Sequence, residues 1–269
     1  MPGTAVSPAI WVLGAWLLFG GSHLLLSWPW LRTALCNVLG ERRFLMIYTL
    51  LAAIGLTLLA ITIARYGGDG RHGLNLATVP VARWGLGAIA LIGAALTTAG
   101  LVNYSRSPMA VLARRLRASD DVKCKPLRAP AAVERITRHP FFVGIALLMG
   151  AHALLASTLA GTVFFAGFTL LALIGIPMQD RKLQARHGDV YGAYLDVSSA
   201  VPFAAASRRL VDGAEERVWP VLLASIVGAA LLAALHPIWR LAHGALFAAL
   251  LNIGGLYAVA KQFRNSRQG

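Results

Sequence analysis

The sequence predicts an all-α fold, a polytopic transmembrane helical bundle of about seven spans forming a single membrane domain over 1–269. Three observations carry that reading. Charged residues make up 13% of the chain against 57% hydrophobic, about half the charged share of an ordinary soluble domain. The apolar residues gather into seven long runs, each close to the ~20 residues that cross a hydrocarbon core. Of the 25 Lys and Arg residues, 21 fall in alternate loops and the C-terminal tail and 4 in the other loops, the bias that orients membrane helices. The net charge of +14 is thus a matter of topology, and no nucleic-acid partner is expected.

The first span is expected over 9–28 and carries His23, with Trp28, Trp30 and Arg32 marking the boundary behind it. Residues 1–7 contain no Lys or Arg, and the apolar run is too long for a secretory signal, so this segment is read as retained. The second span covers 44–66 after Glu41-Arg42-Arg43, and a hydrophilic loop from Gly67 to His72 follows. The third covers 84–104 and leads into a basic loop over 105–138. The fourth, 139–157, opens at His139-Pro140. Proline suits a first helical turn because its φ is already helical and its missing N–H is not needed there. The fifth, 159–178, forms a tight antiparallel hairpin with the fourth and is expected to bend at Pro177. A loop over 179–217 precedes spans at 218–235 and 238–260. The Lys/Arg bias places the N-terminus outside and the C-terminus inside, in the inner (cytoplasmic) membrane of a bacterium. Cys36 and Cys124 are placed in loops, with neither metal-ligand spacing nor a disulfide framework.

Within the spans the candidate chemistry rests on histidine. Imidazole in hydrocarbon is costly unless it is paired or bound, which singles out His23 and His152. Counted from Arg32 and Arg138 at 1.5 Å per residue, they lie roughly 13 and 21 Å from the same side. Two imidazoles from different helices are a common means of holding a haem iron axially. The same spacing also suits a plainer arrangement in which each histidine hydrogen-bonds a neighbouring helix. Met149 lies one turn before His152, where a thioether is either a ligand or packing. A second constellation runs from Gln179 and Asp180 through Arg181 and Arg186 to Tyr191 and Tyr194, and reads as an interfacial lid. The sequence shows no Gly-rich phosphate loop and no Gly-x-Ser-x-Gly elbow. No carboxylate falls within a span, which argues against ion-coupled transport.

Taken in order, Gly21-Ser22-His23, Gly40-Glu41-Arg42-Arg43-Phe44 with Tyr48, Ile136-Thr137-Arg138-His139-Pro140 with Gly144, Ala151-His152, Asp180-Arg181-Lys182, Gly188, Val201-Pro202-Phe203 and His236-Pro237 resemble the NnrU family. That family includes the 15-cis-zeta-carotene isomerases (Z-ISO). The resemblance implies a haem b between His23 and His152 as metal ligands and catalytic groups. Met149 stands where that branch carries an alternate cysteine ligand. Charge alone suggests Arg138 and His139 at the cofactor's rim, beside the haem propionates. The implied activity is redox-dependent cis–trans isomerisation of a lipophilic polyene arriving from the bilayer, among membrane lipids and with a redox donor as partner. NnrU itself is associated with denitrification and nitric-oxide metabolism, which implies an accessory role instead. Arg138-His139-Pro140, with Gly188, Tyr191, Tyr194 and Pro202, is also similar to small membrane methyltransferases that act on isoprenylcysteine or phospholipid head groups. There the basic-His-Pro helix start contributes to S-adenosylmethionine binding. Gln179-Asp180 replaces the paired glutamates of those enzymes.

Overall fold

The computed structural model describes residues 7–104, 107–115, 127, 129–130, 132–204 and six separate helical positions between 223 and 234. Among these residues the fold is helical, and the only strand-like pairing is an isolated antiparallel bridge between His72 and Thr158. The helices are α1 (Pro8–Ser27), α2 (Pro29–Leu39), α3 (Glu41–Tyr66), α4 (Pro80–Val102), α5 (Pro108–Arg115), α6 (Pro140–Leu155) and α7 (Leu159–Asp196). Five of them begin on proline, the residue that starts a helix without losing a hydrogen bond. Among the described residues α1, α3, α4 and α7 are long and apolar enough to cross a membrane, and α6 is a shorter apolar helix. Of the expected sixth span only those six helical positions are described, and the expected seventh lies outside the described residues.

Three local expectations need correction. The stretch after Trp28 is helical, because Trp28 turns extended (ψ 131), Pro29 starts α2 and Gly40 at φ 78 ends it. Cys36 therefore lies on a helix rather than in a loop, while Cys124 falls outside the described residues. Helix α7 runs through Pro177, and its one non-helical residue is Gly188 (φ 47, ψ −127). Its 38 residues span about 57 Å if straight, far beyond a ~30 Å hydrocarbon core. The apolar part ends near Met178, and the polar part from Gln179 lies beyond it. Beyond the kink at Gly188 the Tyr191–Tyr194 stretch forms a short helical segment of its own at this polar end.

The chain divides into two compact units, Met1–Arg83 with His152–Gly167 and Leu235–Gly269, and Trp84–Ala151 with Phe168–Ala234. In the first, α1 carries a π-helical turn over Leu17–Gly21. The Ser22 hydroxyl caps that turn by donating to the carbonyls of Leu18 (2.5 Å) and Phe19 (3.1 Å). The Trp16 indole donates to the Phe164 carbonyl at 2.9 Å and fills the space a Cβ at Gly167 would need. Val12 and Leu59 are fully buried in this unit. Four hydrogen bonds close the hairpin tip onto the loop before α4: Gly73 N to Ser157 O, Asn75 N to Ala156 O, Leu159 N to Arg71 O, and Thr158 Oγ1 to Gly67 O.

In the second unit, α4 and α6 touch backbone to backbone. A Cβ on Gly93 would lie 2.5 Å from the Leu148 nitrogen, and one on Gly100 2.6 Å from the Phe141 nitrogen. A Cβ on Gly144 would collide with the Thr97 nitrogen. Small residues at such contacts let membrane helices approach closely. Leu96, Ala99, Val133 and Val143 form the core there, with Ile136, Leu147 and Ile176 against it. A second cluster joins Leu112 of α5 to Leu183, Tyr191 and Tyr194 of α7. The first cluster lines the membrane-crossing part, and the second holds the polar end of α7 in place.

Candidate functional site

Residues 136–139 enter α6 as a tight polar turn. The His139 backbone N–H donates to Thr137 Oγ1 at 3.3 Å, and Val143 N donates to the His139 carbonyl at 3.0 Å. The Arg138 and His139 side chains then project toward the polar end of α7. There Asp180 receives Arg138 through Nε (3.1 and 3.2 Å) and Nη2 (2.6 Å), His139 through Nε2 (2.8 Å), and the Tyr191 hydroxyl (2.7 Å). The break at Gly188 allows that last contact, since it turns 189–196 so that Tyr191 reaches a carboxylate eleven residues back.

The cluster is largely removed from solvent: His139 is 4% exposed and Tyr191 1%. Burial alone would raise the Asp180 carboxyl, but hydrogen bonds from His139 and Arg138, and then from Tyr191, hold it well below the usual carboxylate range. Burial, followed by the neighbouring Asp180 carboxylate, pushes the Tyr191 phenol far above its ordinary value. Tyr191 therefore remains a donor and Asp180 an anion across the physiological range.

Residues 198–203 wrap the same turn. Arg138 N donates to Ser199 O (2.8 Å), Arg138 Nη1 to Ser198 O (3.3 Å), Thr137 Oγ1 to Ala200 O (2.7 Å) and Phe203 N to Ile136 O (2.8 Å). Between this loop and Arg138 lies an open groove of about 310 Å³, lined by Leu195, Ser198, Ser199, Ala200, Val201 and Ala204. A guanidinium has five N–H groups. Arg138 directs one on Nε and one on Nη2 to Asp180 and one on Nη1 to Ser198, which leaves one on each terminal nitrogen for a ligand in the groove.

The other candidate residues lie elsewhere. His23 and His152 both fall in the first unit. The Tyr48 hydroxyl lies 3.0 Å from each His23 ring nitrogen, and Ser27 Oγ lies 3.0 Å from the same hydroxyl. The His152 ring centroid is 5.1 Å from that of Phe165. Met149 is half-buried one turn before His152 on α6. Arg138 and His139 fall in the second unit, where they serve Asp180. Among the described residues no cluster of three or more His, Cys, Asp or Glu side chains is arranged to hold a metal ion.

Asp180 and Tyr191 were legible only as part of a separate lid, yet the hairpin contained the missing signal. Position 159, the first residue of α7, lies midway between 138 and 180. A tight antiparallel hairpin therefore brings Arg138 and Asp180 to the same end, where opposite charges leaving an apolar run will pair.

Compared with known proteins, the chain is matched over residues 11–244 by a family model described as NnrU protein. No curated protein and no solved structure matches it.

Proposed function

The chain belongs to the NnrU family, and from that premise we propose that it is a membrane-embedded methyltransferase that uses S-adenosylmethionine at the Arg138–Asp180 cluster. One observation carries this reading: Asp180 fixes Arg138 so that two guanidinium N–H groups remain beside a groove of about 310 Å³. The residues present fit the methionine end of that cofactor, whose carboxylate needs two donors in one plane. The groove's volume falls at the lower end of the ~300–1,000 Å³ usual for small-molecule sites. The similarity to membrane methyltransferases rests on the same Arg138-His139-Pro140 start and Tyr191.

Each residue of the cluster then has a distinct task. Arg138 binds the carboxylate, and Asp180 holds the guanidinium plane toward the groove. His139 and Tyr191 saturate the remaining acceptor positions on Asp180, so that it does not compete for the ligand's ammonium. The Ser199 hydroxyl, which accepts from Val201 N at 3.1 Å, would keep its own O–H for the ribose, whereas the buried Ser198 hydroxyl is already donated to the Tyr194 carbonyl at 2.6 Å. When bound, the cofactor would supply an electrophilic methyl group on its sulfonium, whose sulfur would keep the C–S electron pair when an acceptor took the methyl. Purified protein given methyl-labelled S-adenosylmethionine and a total membrane lipid extract should move label into the organic phase. Asp180→Asn should lose most of that transfer. Label that stays in the aqueous phase with every extract would remove this reading.

A second reading keeps a haem b between His23 and His152 and the isomerisation of a lipophilic polyene such as 15-cis-zeta-carotene. It is favoured by the placement of both histidines in one unit. Trp16 is tied to Phe164 and His152 lies against Phe165, so His152 is near the level of Trp16, with His23 about 10 Å further along α1. One hydroxyl can satisfy only one imidazole nitrogen at a time, so Tyr48 suits the outer partner of a ligating histidine and leaves the other nitrogen free for iron. The haem would supply the electronic weakening of a double bond, while the chain would hold it with His23 and His152 in an apolar site. An oxidised and a dithionite-reduced absorption spectrum beside His152→Ala tests it. A Soret band that sharpens on reduction and weakens in the variant supports haem; no haem spectrum, even after hemin addition, removes it. If neither cofactor binds, the accessory role in nitrogen-oxide metabolism remains.

A further inference from the structure

The loop that closes the groove carries three exposed apolar side chains in seven residues: Val197 (45% exposed), Val201 (64%) and Phe203 (67%). Phe203 adopts φ 62, a left-handed conformation that is a genuine outlier for a bulky residue. The loop is nevertheless firmly held, with Phe203 N on Ile136 O at 2.8 Å and Thr137 Oγ1 on Ala200 O at 2.7 Å. A strained backbone kept in place to display an aromatic ring, instead of burying it, points to a surface that receives the ring.

The depth of the loop identifies that surface. Its anchoring partners, Ile136, Thr137 and Arg138, directly precede the apolar helix α6, and Asp180 directly follows the apolar part of α7. The loop is therefore tied to the start of α6, whose Arg138 pairs with Asp180 just past the apolar part of α7, which is the headgroup level of a bilayer. Arg181 and Arg186 on the polar end of α7 are exposed as well, a charge pattern suited to anionic lipid. Val201 also lines the groove, so the apolar lip and the cavity are continuous.

From this geometry we infer that Val197, Val201 and Phe203 form a lipid-contacting lip that seats the mouth of the Arg138 groove in the headgroup layer of an anionic phospholipid bilayer. The partner is the membrane surface, and the inference stands whichever ligand the groove takes. Single apolar side chains exposed on a protein need no explanation, but a rigid set at headgroup depth beside a cavity does. Bilayer contact offsets both the exposed apolar area and the strained ring position.

Site-specific fluorescence tests it. Cys36→Ser and Cys124→Ser remove the native thiols. An environment-sensitive probe is then placed at Phe203→Cys, at Val201→Cys or at the exposed control Asp189→Cys, and each protein is reconstituted in vesicles of phosphatidylcholine and phosphatidylglycerol. Probes at both lip positions should be quenched severalfold more strongly by nitroxide-labelled lipid than the control, and should be shielded from aqueous iodide. Two positions keep the test decisive should Phe203→Cys relax the loop. Strong iodide quenching with no lipid quenching would place the lip in water, and protection from both quenchers would place it under protein; either result overturns the inference.

Discussion

Asp180→Ala would leave Arg138 and His139 without their shared acceptor in a site that is 15% exposed or less at all three side chains. Charged hydrogen bonds of this kind contribute about 2–3 kcal/mol, and stranding the remaining donor adds to the loss. Thermal melting in mild detergent should show a clear drop, with Tyr191→Phe falling by less because it removes one bond of several. The pH dependence follows from the sign of the shift. The Asp180 carboxyl is depressed in the folded state, so its stabilisation is fully present above the ordinary carboxylate pKa and is lost as pH falls below about 4 toward the folded value. The wild type should therefore melt at a constant temperature from neutral pH to about 5 and lose stability below about 4, and Asp180→Asn should lack that acid limb. The sequence shows these residues but separates them into two motifs 41 positions apart. Their pairing depends on hairpin register, which chain order alone does not display. His23 was visible as an imidazole within an apolar span, whereas its partner Tyr48 on the next span was marked only by the family resemblance and not by any pairing signal.

Helix–helix contact sets the element scale, and two glycines separate its causes. A Cβ at Gly144 would collide with the Thr97 nitrogen of α4 and lie 2.7 Å from the Gly93 carbonyl, all backbone atoms that cannot swing aside. Gly144→Ala should push α4 from α6 and cost about 1–3 kcal/mol through overpacking. At Gly188 a Cβ would meet nothing within 4 Å, but φ is +47. Gly188→Ala should also cost about 1–3 kcal/mol, here through backbone strain alone, and should loosen Tyr191 from Asp180. Combining Gly188→Ala with Tyr191→Phe should then cost less than the sum of the two, because both act on one contact; strict additivity would contradict that link. The apolar helices were legible because their runs are long and uninterrupted. Helix α2 was not, since its mixed composition resembles a loop and only the Trp28–Pro29 and Gly40 boundaries reveal it. The position of the α7 break was misread because proline is tolerated where a helix continues, whereas Gly188 alone takes a conformation closed to other residues.

At the scale of the molecule, family membership and a helical fold suited to a membrane stand on the matched residues 11–244 and on four long apolar helices among the described residues. The Lys/Arg bias was legible at this scale because it needs only loop composition. It predicts that a membrane-impermeant maleimide applied to intact spheroplasts labels Asp69→Cys but not Asp189→Cys, in a background without Cys36 and Cys124; the opposite pattern would reverse the orientation. What chain composition could not convey was which of the candidate residues the fold brings together. Histidines within apolar spans drew attention to His23 and His152, and the structure adds a second set of charged contacts around Asp180. The measurement that bears most directly on that site is calorimetric titration of the purified protein with S-adenosylmethionine, wild type beside Arg138→Lys. Lysine keeps the charge but loses the paired planar donors. Saturable binding that weakens about tenfold in the variant, with the melting temperature little changed, is the predicted result. Equal affinity in both proteins, or no binding to the wild type, would contradict the assignment of Arg138 and its Asp180 partner to a cofactor site.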